Sequence, residues 1–433
     1  MILALAACLF ATLSASGCSS SEAPALATDP TCTPQTHCTF IPAGTTEDSV
    51  QDTFARAKEG QTLKFGPGVF AFRNELTVAV NGVSVVGAGI DQTTLDFAGQ
   101  VSASEGLFAQ TVKNVRLEGF TIKDTKGNGV KVLGSEGVIF RKLKVLWTGD
   151  DATTHGGYGL YPVQSKSVLI EDCIATGASD SGIYVGQSQG VVVRRNEAFG
   201  NVAGIEIENT FFADVYENDT HDNTGGLLVF DLPELQQLGG HGIRVFDNKI
   251  HDNNTHNFAP QGNIVGLVPA GTGFFVMANA DVEIFRNTFT NNHTGHCAVV
   301  SYYVSQLAIK DPKYYPYPTN VFIHDNTFVS GGTMPDLGNQ LGFLLITALD
   351  KFPGKVVPEI LYDGITDPMK VDPPTNPMHL CVKQPGAHLA NLHFEKLDVN
   401  KPDLASIVVV DPPDYDCALP ATPPVSFPGV EAK

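Results

Sequence analysis

Glycine and asparagine recur in this chain at nearly fixed steps. Gly159, Gly182, Gly204 and Gly226 follow one another at intervals of 23, 22 and 22 residues, and Gly129 opens a similar stretch before them. Each begins a run of alternating apolar and polar residues, as in SGIYVGQSQGVVV and AGIEIENTFFADV. A second series, Asn196, Asn218, Asn248, Asn287 and Asn326, marks the same period, with Asn201, Asn223, Asn253 and Asn292 five residues after its first four members. A unit of ~22 residues is too short to bury an apolar face alone, so such units must stack and share one interior. Asparagine tolerates left-handed backbone and suits a corner. Stacked at one corner, its amides can bond copy to copy.

The alternation sets the phase. Val130, Leu160, Ile183, Ile205, Leu227 and Phe274 share one position of the first strand, and Val132, Pro162, Val185, Ile207, Val229 and Val276 follow two residues later. Period-two apolar pairs bury one face of a strand. The residues between them point outward: Lys131, Tyr161, Tyr184, Glu206, Leu228 and Phe275. The expected fold is all-β, a right-handed single-stranded parallel β-helix with three short strands per coil. It should run from Phe65 to about Ser330 in roughly eight to eleven coils, with strands of successive coils about 4.8 Å apart. Thr45 and Asp48 have capping-box spacing, and Val50, Phe54 and Ala57 share a helical face. A helix over 46–58 would therefore cap the open end. Between Asn218 and Asn287 the spacing widens to 30 and 39 residues. Those insertions should leave the shaft as loops near 231–241 and 254–272.

The segment MILALAACLFATLSASGC reads as a bacterial lipoprotein signal, with Cys18 as the lipidated residue. The expected organisation is signal 1–18, tether 19–40, β-helix with its cap 41–332, and a proline-rich C-terminal cap or small lobe 333–433. The protein would then be exported, periplasmic or anchored at the outer membrane or cell surface, touching membrane through its lipid alone. Disulfides are allowed there. Cys32 and Cys38 lie close enough to close a small loop, Cys381 and Cys417 could staple the tail, and Cys173 and Cys297 read as buried thiols. The net charge of −19 argues against nucleic acid and anionic membrane as partners.

Over roughly 62–330 the chain resembles the right-handed parallel β-helix repeat superfamily, and YGLYPVQSKSVLIEDCIATGASDSGIYVGQSQGVVVRRNEAFGNVAGIEIENT resembles a group of bacterial secreted or lipoprotein members without established activity. YGLYPVQS is also similar to the YGxDPH signature of alginate C5-epimerases. Tyr158, Gly159 and Pro162 match it, whereas Tyr161 and Val163 stand where that signature has its aspartate and histidine. A valine cannot pass a proton, so the likeness implies the fold more than the chemistry.

Two regions carry candidate chemistry. In TGDDATTHGGYG, the paired carboxylates Asp150 and Asp151, with His155 and Tyr158 nearby, suit calcium, which takes oxygen ligands, or acid–base work on a glycoside. A solvated turn with backbone-capping aspartates is the plainer alternative. On the outward row, Glu206 joins Asp150, Asp151, His155 and Tyr158 as a catalytic candidate. Tyr161, Gln164, Tyr184, Gln187, Asn209 and Asp231 would bind ligand, since aromatic rings cover apolar sugar faces and amides and carboxylates meet hydroxyls. A stabilising cross-strand ladder is the plainer alternative there. His221–Asp222 and His251–Asp252 share one phase, where stacked imidazoles suit a transition metal. No cofactor is required by any motif, calcium being the candidate ion. The expected role is binding polysaccharide or envelope glycan, with modification as a lyase, epimerase or hydrolase if catalytic. The competing expectation is a structural or protein-binding envelope component.

Overall fold

Inward-pointing Leu160, Ile183, Ile205, Leu227, Phe274, Cys297 and Ile360 stack one above another with no solvent exposure beyond 1%. Full burial of such a side chain contributes ~1.5–3 kcal/mol, so this column is the axis of the fold. The computed structural model describes residues 28–398, 400–431 and 433. The expected signal segment with Cys18, and tether residues 19–27, lie outside the described residues. No helix among those described is long and apolar enough to cross a membrane.

Each coil contributes three parallel strands. The first sheet contains Tyr158–Val163, Ser181–Gly186, Ala203–Glu208, Gly225–Phe230, Thr272–Met277 and Gly295–Val300. The second holds Lys166–Glu171, Gln189–Arg194, Phe211–Tyr216, His241–Phe246, Ala280–Phe285 and Thr319–His324. The third is built from three-residue strands such as Glu197–Phe199, Asp219–His221 and Lys249–His251. Parallel pairing starts at Cys38–Ile41, within the expected tether, and continues past residue 332 through Ile360–Tyr362, Leu380–Lys383 and Leu389–Asn391. Antiparallel Val409–Val410 then closes the first sheet's end.

The glycine period has a steric cause. A Cβ on Gly159, Gly182, Gly204 or Gly226 would run into the carbonyl oxygen of the glycine one coil further on. The coils therefore approach too closely there for a side chain.

The asparagines bond as the spacing predicts. Nδ2 of Asn196, Asn218 and Asn248 donates to Oδ1 of the next at 2.9 Å, and Asn287 to Asn326 at 3.0 Å. Asn201, Asn223, Asn253 and Asn292 form a parallel ladder at 3.0–3.1 Å. The left-handed residue of the corner is not the asparagine, however. It is the residue before it, Arg195, Glu217, Asp247, Arg286 and Asp325, at φ 53–56°. The amide's place is inside, where it satisfies buried backbone groups. A third ladder, Ser135, Ser165, Ser188 and Thr210, links backbone N–H to the next hydroxyl at 3.2–3.3 Å.

At the N-terminal end a helix, Glu47–Ala55, buries Val50 and Phe54 in the interior. Its cap is Thr46, accepting from the Ser49 amide, rather than Thr45, which turns back to the Pro42 carbonyl. Disulfides join Cys32 to Cys38 and Cys381 to Cys417, and Cys173 and Cys297 are buried free thiols. Beyond Cys417 the chain runs back along the outer face of the second sheet. Val425 and Phe427 there cover Tyr216, Phe246 and Phe285.

Candidate functional site

Along the outer face of the first sheet the chemistry changes abruptly. Register places Tyr184 beside Glu206, Glu206 beside Leu228, and Leu228 beside Phe275. From Leu228 onward the outward residues are apolar and lie under a lobe made by the loops after residues 231, 252 and 301 and by a helix, Gln340–Thr347. Before Leu228 they are tyrosines and carboxylates. Rings of Tyr158, Tyr161 and Tyr184 form a cluster with centroids 4.5–5.0 Å apart. Tyr158 and Tyr161 are partly open to solvent, whereas Tyr184 is buried.

Beneath the rings lie three carboxyl groups. Asp180, Glu206 and Glu208 are 4%, 1% and 6% exposed. Ser181 Oγ is 3.1 Å from Asp180 Oδ1 and 2.5 Å from Glu206 Oε2. A hydroxyl has a single proton to donate, so one of these two contacts requires a carboxylic acid. Tyr184 donates to Glu208 at 2.5 Å, and Asn263 Nδ2 from the long loop donates to Asp180 at 2.7 Å. Burial raises all three carboxyls. Glu206 goes well above the usual range, reinforced by the charges of Asp180 and Glu208. Burial lifts Glu208 to about 7 and Asp180 to about 6. Lys131 sits 5.3 Å over the Tyr161 ring but is engaged by Glu105 at 3.5 Å. The patch therefore keeps carboxyl protons to a higher pH than ordinary carboxylates do.

Tyr158, Tyr161, Tyr184 and Glu206, all expected as site residues, come together here. Asp180, Ser181, Glu208 and Asn263 were not singled out. Glu208 had a readable signal, since it stands two residues after Glu206 and alternation puts both on one face. The remaining candidates lie outside this cluster. Asp150 is exposed, and Asp151 caps a short helical turn by accepting from the Thr153 amide and hydroxyl. His155 bridges the Gly177 and Gly149 carbonyls and stacks near Trp147. A calcium ion needs six to eight oxygens. With Asp151 Oδ1 taken by Thr153, this turn offers few. Among the described residues no three acidic, histidine or cysteine side chains converge as a metal set. The stacked His221 and His251 are each bonded to carboxylates through both ring nitrogens.

Gln164 and Gln187 line a cleft of about 230 Å³ at the corner after the first sheet, with Gln189, Gln236 and Gln237. Asn209 is spent on the loop, exchanging hydrogen bonds with Leu232 and Gln237. Asp231 accepts from the Gly239 and Gly240 amides and, being buried, is raised to about 6.

Residues 76–232 match the family described as right handed beta helix region. The chain is a right-handed parallel β-helix. Among solved structures this β-helix resembles the A-module of the mannuronan C-5 epimerase AlgE4 of Azotobacter vinelandii. The two share 17% identity over 73% of this chain and 86% of that one, with a TM-score of 0.50. It also resembles a C387A variant of DFA-IIIase from Arthrobacter chlorophenolicus A6, at 12% identity over 73% and 87% of the two chains and a TM-score of 0.44. The likeness to the AlgE4 A-module is one of fold. No curated protein matches the sequence.

Proposed function

We propose that this β-helix binds carbohydrate polymers along the outer face of its first sheet and moves protons on them there. The observation that carries the reading is the hydroxyl-bridged pair Asp180–Ser181–Glu206 lying beneath three clustered tyrosines. The rings offer apolar faces to sugars. Glu206, whose burial pushes its carboxyl well above the usual range, is the acid of the pair. Glu208 and Asp180, with pKa values of about 7 and 6, are matched to giving and taking protons near neutrality. Lyase, epimerase and hydrolase chemistry all need such groups. A net charge of −19 favours a neutral glycan, or an acidic one bridged by calcium. Lipidation at Cys18 would hold the protein at the cell envelope, and a Cys18→Ser variant should leave the membrane fraction.

The test is a binding and turnover screen on a glycan panel with and without calcium. Wild type should bind at least one polymer, Tyr161→Ala should weaken that binding, and Glu206→Gln should abolish turnover while retaining binding. No interaction in either condition sinks the reading. A protein partner is the second reading, favoured by Met334, Leu337 and Phe343, which are 61%, 64% and 53% exposed on one segment. A crosslink from that segment to an envelope protein, in cells whose extract shows no glycan binding, would support it.

A further inference from the structure

The loop after the first-sheet strand Gly295–Val300 is rich in tyrosine: SYYVSQLAIKDPKYYPYP. It encloses an open cleft of about 530 Å³, lined by Tyr303, Leu307, Ile309, Lys310, Tyr314 and Pro316 among others. That volume is in the range of small-ligand sites, roughly 300–1,000 Å³. Tyr303 and Leu307 are 44% and 50% exposed. Tyr303 packs against Tyr317 with ring centroids 5.6 Å apart, and Tyr317 against Tyr315 at 5.4 Å. Tyr315 is fixed from below by donating to Asp367 and from above by the Lys370 ammonium, 5.3 Å from its ring. The platform is thus held in place by its own neighbours, with Tyr303 left facing solvent.

Its position relates it to the other cleft. Gly186 is followed in register by Glu208, Phe230, Met277 and Val300. The two clefts therefore leave the same corner of the shaft four coils apart, about 19 Å at the spacing of parallel strands. Their loops also fold in one direction. Tyr314 donates back to the Asp231 carbonyl, and the loop after Asp231 reaches back to Gln187 through the Gln236 amide. The tyrosine loop is thus tied, through the loop after Asp231, to the glutamine cleft.

We propose that the Tyr303 cleft is a distal subsite for a neutral stretch of the same polysaccharide chain, whose nearer part lies in the Gln164–Gln187 cleft. Tyr303 and Ile309 meet apolar sugar faces, and Lys310 meets sugar hydroxyls. This rests on the carbohydrate reading above and adds a length requirement to it. A chain spanning both clefts gains by making the second contact intramolecular, and a short oligosaccharide does not.

The experiment uses the full exported protein with a dextran, a laminarin, a xylan, a glucomannan and alginate plus calcium as probes, followed by size-graded oligosaccharides of whichever binds. Tyr303→Ala and Tyr303→Phe are compared with Tyr161→Ala. The subsite predicts that Tyr303→Ala weakens the long chain about fivefold or more and leaves the shortest binding oligosaccharide unchanged. Tyr161→Ala should weaken both, and Tyr303→Phe should stay near wild type. Equal affinity of Tyr303→Ala and wild type for the long chain, with Tyr161→Ala impaired, overturns the subsite and spares the carbohydrate reading. Failure of wild type to bind any probe overturns both.

Discussion

The outer face of the first sheet has two halves built on one backbone. Between Tyr158 and Glu208 it presents tyrosines over buried carboxyls, and between Gly225 and Val300 it presents Leu228, Phe230, Phe275 and Met277 beneath a lobe. Inside the shaft nothing changes across that boundary: Ile205 is followed by Leu227 and Phe274 in the same register. The interior is held to a repeat because every coil buries the next. The exterior carries no such requirement, so function and lobe docking can be placed there independently.

The largest perturbation should come from what both halves share. Asn218→Leu takes the Asn218 bonds from the Asn196 backbone amide and the Val193 carbonyl, leaves the Asn196 side chain only the Ile170 carbonyl, and should cost about 5 kcal/mol in urea unfolding. A loss below ~1 kcal/mol would mean that the ladder is dispensable. Next, Leu228→Glu carries the acidic chemistry one coil into the covered half. Leu228 is fully buried, so the change should cost roughly 4 kcal/mol and loosen the lobe, read as faster amide exchange in 254–268.

Raised carboxyls lie on both sides of the boundary, Asp180, Glu206 and Glu208 in the patch and Asp231 and Asp363 beside the covered half, so the pH dependence reads them together. The carboxyls of the patch are raised, so the native state keeps protons that the unfolded chain releases. Their stabilisation is complete below the ordinary carboxylate pKa near 4 and is lost as pH rises through about 6 to 7. For Glu208 alone, moved from 4.5 to about 7, this amounts to at most about 3 kcal/mol between pH 4 and 8. Urea midpoints should fall accordingly across that window, and a flat profile would contradict the assignment. Glu206→Leu, the reverse transplant, should raise stability at pH 8 by ~1–3 kcal/mol while ending any turnover. The smallest effect is expected at the seam. Asn263→Ala removes one bond to Asp180 and should cost about 1 kcal/mol, with little change in the lobe.

Most of the shaft was readable because stacking writes a period into the chain. The glycines, both asparagine rows and the inward alternation each follow from one contact repeated coil after coil. The helix cap at Thr46 in place of Thr45 shows the limit of spacing alone, since either threonine fits the pattern and the carbonyl of Pro42 decides between them. Members of the candidate cluster were readable where they fell on the outward row, as Tyr161, Tyr184 and Glu206 did. Asp180 and Ser181 were not, because they stand at the strand's start, where alternation assigns no face. Asn263 was not, because it arrives from a loop 83 residues away from Asp180. Asn209 and Asp231 look like ligand groups in sequence, yet the returning loop consumes their hydrogen bonds.

Underlying the account is a patch of carboxyls that keeps its protons to a higher pH than ordinary carboxylates do, because stacking crowds Asp180, Glu206 and Glu208 together out of water. Infrared difference spectroscopy of the carboxylic acid C=O stretch reads this directly, comparing wild type with the Asp180→Asn/Glu206→Gln/Glu208→Gln variant at pH 6. The account predicts a protonated-carboxyl band in wild type that is weaker in the variant. Identical spectra would contradict it.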